Sequence, residues 1–109
     1  MSKGAYLGEF EIFVLGAVLR LSGDAYGVTI RQEIERRTER AASIGAVYAT
    51  LDRLVEKGLV SFRASDPRPM QGGRARKFFD VTPAGARSLA QSRRALNRMF
   101  DGLEPQPGR

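Results

Sequence analysis

The chain has no cysteine and no histidine among its 109 residues. Without cysteine there is no disulfide framework and no thiolate metal site. Without histidine the commonest general base and the commonest metal ligand are both missing. No apolar run reaches the length of about eighteen residues that a transmembrane helix needs. The stretch from Ile12 to Leu21 follows acidic residues and is broken by Arg20, which does not suit a signal peptide. The cytoplasm is therefore the expected location, with no membrane partner. Asp52, Glu56 and Asp66 lack the converging spacing of a catalytic set, so neither enzyme activity nor a cofactor or metal is expected.

What is present is positive charge, and its position matters more than its total. Residues 1–60 carry eight Lys/Arg and eight Asp/Glu, whereas residues 61–109 carry ten against four. The whole net charge of +6 therefore sits in the second part. Arg63, Arg68, Arg74, Arg76 and Lys77 crowd one segment and face only Asp66 there. Cations spaced between glycines suit phosphate, because each neutralised phosphate releases counterions. Arg87, Arg93, Arg94 and Arg98 form a second cluster, as readily a solvated face as a binding one.

Hydrophobic spacing predicts four helices and one hairpin in a single small domain. Helix one is expected from Leu7 to Leu21, with Leu7, Phe10, Phe13, Val14, Ala17, Val18 and Leu21 recurring at three and four. Helix two is expected from Ala25 to Arg37, with Tyr26, Ile30 and Ile34 on one face and Gly27 allowing close packing. Ser43 is an N-cap for helix three, in which Ile44, Val47, Leu51, Leu54 and Val55 form the buried face. Gly45, Ala46, Ala49, Thr50 and Arg53 are expected on the opposite side, with the Tyr48 ring at the border and in the core.

Gly58 then stops the helix, and short strands are expected at Leu59–Arg63 and Lys77–Val81. The connection between them holds Pro67, Pro69, Gly72 and Gly73. Thr82 and Pro83 open the last helix, expected to run to Gly102. A helix feeding a two-stranded ribbon with a basic tip is the local layout of a winged helix-turn-helix. The expected fold is thus mainly α with a small β-hairpin. Residues 1–82 form the DNA-binding part, 83–103 a C-terminal dimerisation helix and 104–109 a fraying tail.

The matching residues also resemble the PadR family of bacterial winged-helix transcriptional regulators. They are Tyr26-Gly27, then Gly45-Ala46-Val47-Tyr48 with Leu51, Arg53 and Leu54, then Gly58-Leu59-Val60. Gly72-Gly73-Arg74, Lys77 and Val81-Thr82-Pro83-Ala84-Gly85 follow in the same order. The resemblance covers roughly residues 7–90 and implies a homodimeric DNA-binding protein of the short-tailed branch, commonly a repressor. It implies that helix three reads the major groove, that the wing touches backbone or minor groove, and that the last helix builds the dimer with helix one. Phe78 and Phe79 stand where the family often has tyrosine, so a hydroxyl contact is lost there. Some short-tailed relatives hold flat aromatic drugs with tryptophan, and this chain has none.

Taken together, Ser43, Gly45, Thr50 and Arg53 are expected to meet DNA from helix three, with Tyr26 and the Tyr48 hydroxyl beside them. Gly73, Arg74, Arg76 and Lys77 serve the wing. Phe10, Phe13, Leu89, Leu96, Met99, Phe100 and Leu103 are expected at the dimer contact. The partner is double-stranded DNA with a near-palindromic site. A small-molecule inducer beside Phe10, Phe13, Met99 and Phe100 competes with plain packing there. The alternative function is a winged-helix adaptor that binds protein or RNA without reading bases.

Overall fold

The computed structural model describes residues 6–64 and 76–103. Along the chain these form α1 (Glu9–Arg20), α2 (Gly27–Thr38), α3 (Ile44–Glu56), β1 (Val60–Ala64), β2 (Lys77–Val81) and α4 (Pro83–Phe100). The expected wing-tip residues Gly73 and Arg74, and the tail 104–109, lie outside the described residues.

Local chemistry sets where the elements begin. α1 starts two residues later than the apolar spacing suggests, because Gly8 is its N-cap and the Gly8 N–H donates to Glu11 Oε1 at 2.9 Å. α2 starts at Gly27, where Thr29 Oγ1 accepts from the Tyr26 N–H at 3.0 Å and donates to the Asp24 carbonyl. Ser43 caps α3 as expected, its hydroxyl accepting from the Ala46 N–H at 3.0 Å. Thr82 does the same for α4 through the Gly85 N–H, with Pro83 as the first helical residue.

Three helices and the ribbon enclose one core. Val14, Leu15 and Val18 from α1, Ile30 and Ile34 from α2, and Val47, Leu51 and Leu54 from α3 are all buried. Val60 and Phe79 close it from the ribbon, whose antiparallel register sets Val60 opposite Val81 and Phe62 opposite Phe79. The Phe79 N–H also donates to the Ala25 carbonyl at 2.8 Å, so the ribbon is fastened to the α1–α2 turn. Ile44, expected in the core, is 39% exposed instead, because it opens α3 ahead of the buried stripe.

α4 is pinned at its first turn. The Thr82 hydroxyl donates to the Gly58 carbonyl at 2.8 Å, and the Thr82 N–H donates to the Leu59 carbonyl at 3.0 Å. Gly85 sits so close to that carbonyl that a Cβ would overlap it. Gly85→Ala is therefore expected to destabilise the fold by about 1–3 kcal/mol through overpacking, read as a lower midpoint in urea unfolding. This close approach buries Leu89 at 7% exposure in its own protomer. Leu89, expected at a dimer contact, is thus occupied by the core of its own chain.

Candidate nucleic-acid interface

α3 buries Val47, Thr50, Leu51 and Leu54, a set spaced at three and four. The residues left outside are Ser43, Ile44, Gly45, Ala46, Tyr48, Ala49, Asp52, Arg53 and Glu56. Gly45, Ala49, Asp52 and Glu56 share the middle of this exposed face by their spacing. Small side chains in its first half let another surface approach the backbone closely. Thr50 was expected among the exposed groups, but it is only 2% exposed. Its position within the apolar stripe turns it inward, where its hydroxyl accepts from Arg53 Nη2 at 3.2 Å.

The other expected residues are distributed as follows. Ser43 is exposed but committed to capping. Tyr48 is not a core residue: it is 43% exposed and its ring covers Gly27 on α2, where a Cβ would collide with it. The close packing expected at Gly27 is thus made by an aromatic side chain. Arg53 is exposed on the flank toward α1.

The ribbon carries its cations over aromatic rings. The Arg76 guanidinium lies 4.1 Å from the centre of the Tyr26 ring, and that ring meets Phe78 edge-on at 5.6 Å. Arg63 lies 5.1 Å from the Phe78 centroid and also pairs with Asp80 at 3.5 Å. Lys77 covers Phe62 at 4.3 Å on the other face of the ribbon. Tyr26 therefore helps set the angle of the ribbon on the body, alongside any contact it makes with a ligand. Contacts of this kind contribute roughly 0.5–1 kcal/mol each at exposed sites.

A buried carboxylate under the end of α3 escaped the sequence analysis. Glu11 of α1 is 7% exposed, accepts from Lys57 Nζ at 2.9 Å and lies 3.9 Å from Arg53 Nε. Burial pushes this carboxyl up, but the hydrogen bonds from Lys57 and the Gly8 N–H, with the Lys57 and Arg53 charges, together hold it below its ordinary value. Hydrogen bonds from Arg37 and Arg36 likewise hold Glu33 down. Both groups thus release protons more readily when folded than when unfolded. Their stabilisation is present at neutral pH, above the unfolded-state value, and is lost as pH falls through the depressed folded-state values. Thermal melts between about pH 5 and pH 3 should fall more steeply for the wild type than for Glu11→Gln. Parallel curves would remove Glu11 from the acid response.

The far end of α4 is apolar and open. Leu96, Met99, Phe100 and Leu103 are 49%, 73%, 61% and 66% exposed. Phe10 and Phe13 are partly buried against the core of their own chain, and Arg40 lies over the Phe13 ring. Phe13 lines a shallow cavity of about 160 Å³ between α1 and α2, which Phe10, Met99 and Phe100 do not line. Arg87, Arg93, Arg94 and Arg98 have no ion-pair partner among the described residues. No described helix is long and apolar enough to cross a membrane.

Comparison with known proteins places this geometry. Residues 14–91 match the profile of the Transcriptional regulator PadR-like family. Transcriptional regulator Rv3488 of Mycobacterium tuberculosis is 38% identical over 76 residues, a match spanning 70% of this chain and 66% of that protein. The crystal structure of a PadR family transcription regulator from Clostridium difficile R20291 superposes with a TM-score of 0.68 at 25% identity, covering 86% of this chain and 96% of that one. Bacillus subtilis PadR, solved in complex with operator DNA, superposes with a TM-score of 0.63 at 19% identity. It covers 92% of this chain, which spans about half (52%) of its length. The last similarity is one of fold.

Proposed function

The chain belongs to the PadR-like family, whose members are transcriptional regulators rather than enzymes, and on that premise we propose that it is a homodimeric repressor occupying a near-palindromic operator. The observation that carries this reading is the pairing of two surfaces. One is the exposed face of α3, with small residues at Gly45, Ala46 and Ala49 and Arg53 on its flank, beside a ribbon bearing Arg63, Arg76 and Lys77. The other is the apolar end of α4.

In this reading α3 enters the major groove and the ribbon lies along the backbone next to it. The ribbon cations supply affinity that depends steeply on salt but little on sequence. With Thr50 buried, base reading from α3 falls chiefly to Arg53, which can hold a guanine by two hydrogen bonds. Residues 83–103 supply the dimer contact through Leu96, Met99, Phe100 and Leu103, with α1 of the partner subunit as the surface they cover. Two-fold symmetry then sets the half-sites about 10 base pairs apart, or a multiple of that. The fold similarity to a PadR solved with operator DNA supports this docking.

Titration of the purified protein against a selected duplex and a scrambled one, at one salt concentration, tests the function. The expected result is tighter binding to the selected duplex by about a thousandfold or more. Equal affinity for both would favour an adaptor that uses the same basic surface without reading bases.

A further inference from the structure

Arg53 is the long donor on the exposed flank of α3, and its guanidinium makes one hydrogen bond within α3 and one ion pair to α1. Nη2 donates to the Thr50 hydroxyl at 3.2 Å, while Nε lies 3.9 Å from Glu11 Oε2. The Glu11 carboxylate is itself anchored at both oxygens. Oε1 accepts from the Gly8 N–H at 2.9 Å and Oε2 accepts from Lys57 Nζ at 2.9 Å. At 7% exposure it is a fixed charge from another helix, unlike a solvated counter-ion that follows the arginine about.

We propose that Glu11 is a positioning residue for sequence readout, holding the Arg53 guanidinium from α1 so that its remaining donors meet a base edge. This rests on the reading that α3 enters the DNA groove. A free arginine carries about 2 kcal/mol of side-chain entropy and can satisfy itself on any nearby phosphate. Restraint at Nε and Nη2 lowers the ordering cost of one geometry and disfavours the phosphate-seeking alternatives. Glu11 also offsets part of the Arg53 and Lys57 charge, which lowers attraction to DNA of any sequence. The two effects act in opposite directions on two measurable quantities. Losing the Glu11 charge should loosen discrimination while leaving non-specific binding equal or stronger.

The test is Glu11→Gln, titrated against the selected and scrambled duplexes at one salt concentration. The amide keeps the length of the side chain, and its single oxygen can accept from either the Gly8 N–H or Lys57 Nζ, each of which now meets a separate carboxylate oxygen. The expected result is a fall of about fivefold in the selected-to-scrambled ratio, the low end of what one guanine contact supplies. Affinity for the scrambled duplex is expected to be unchanged or tighter. In an Arg53→Ala background the same substitution should leave the ratio where it was. Thr50→Val removes the other restraint and carries the same expectation, so a Glu11→Gln protein that fails to fold does not end the test. A ratio unchanged by either variant, or an equal loss on both duplexes, overturns the proposal. Loss of discrimination in Arg53→Ala without loss in Glu11→Gln overturns it alone. An unchanged ratio in Arg53→Ala overturns it together with the base-reading role of Arg53.

Discussion

Leu96→Arg is expected to leave the protein monomeric and to cost it specific DNA binding. Leu96, Met99 and Phe100 on the last turns of α4, and Leu103 just past its end, are all exposed. Fully burying side chains of this size stabilises by roughly 1.5–3 kcal/mol each, and nothing in the described protomer covers them. An arginine at position 96 would set a charge in the middle of that surface, one turn from Arg93 on the same face. Buried without an acidic partner, it costs more than the contact returns. The DNA effect follows from geometry. A dimer binds its second half-site at an effective concentration that raises avidity by about 10²–10⁴, and a monomer loses that gain. Light scattering at micromolar concentration should show twice the 12.0 kDa chain mass for the wild type and the single mass for the variant. A wild-type mass of one chain that persists on concentration would contradict the dimer.

Arg53→Ala is expected to cost about 1–3 kcal/mol on the selected duplex and far less on a scrambled one. The expectation is sharper because Thr50 is buried, which leaves α3 with few side chains able to tell one base from another. The loss should fall on one position in each half-site. If Arg53 served only to hold phosphate, both duplexes would weaken equally and the salt dependence would flatten by about 0.9 in slope. Far-ultraviolet circular dichroism of the variant separates this from damage to the Glu11 and Lys57 contacts beneath it.

Capping signals were the most legible part of the sequence. Ser43 and Thr82-Pro83 mark the starts of α3 and α4 because their roles depend on neighbours within one turn. The ribbon was legible for a similar reason, since Gly58 ends a helix and the apolar residues after it alternate. Thr50 was misplaced because a small polar residue suggests a surface. Yet it stands three residues after Val47 and four before Leu54, inside the buried stripe. Leu89 keeps the spacing of Leu96, Met99 and Leu103, so spacing alone could not separate the two groups. What separates them is the close approach of Gly85 to the Leu59 carbonyl, which leaves no room for a Cβ and sets only the first turns of α4 against the core. Glu11 had a local signal only for its capping contact with Gly8, not for its contacts with α3. An acid in the first turn of a helix is explained by the helix dipole, and its partners Lys57 and Arg53 come from a different helix.

Selection of bound sites from random duplexes by the purified protein tests the central claim most directly. The account predicts an enriched sequence with two-fold symmetry, its half-sites about 10 base pairs apart or a multiple of that. It also predicts a guanine in each half-site whose preference weakens when the selection is repeated with Arg53→Ala. Recovered duplexes with no common sequence, bound by wild type and variant alike, would contradict it.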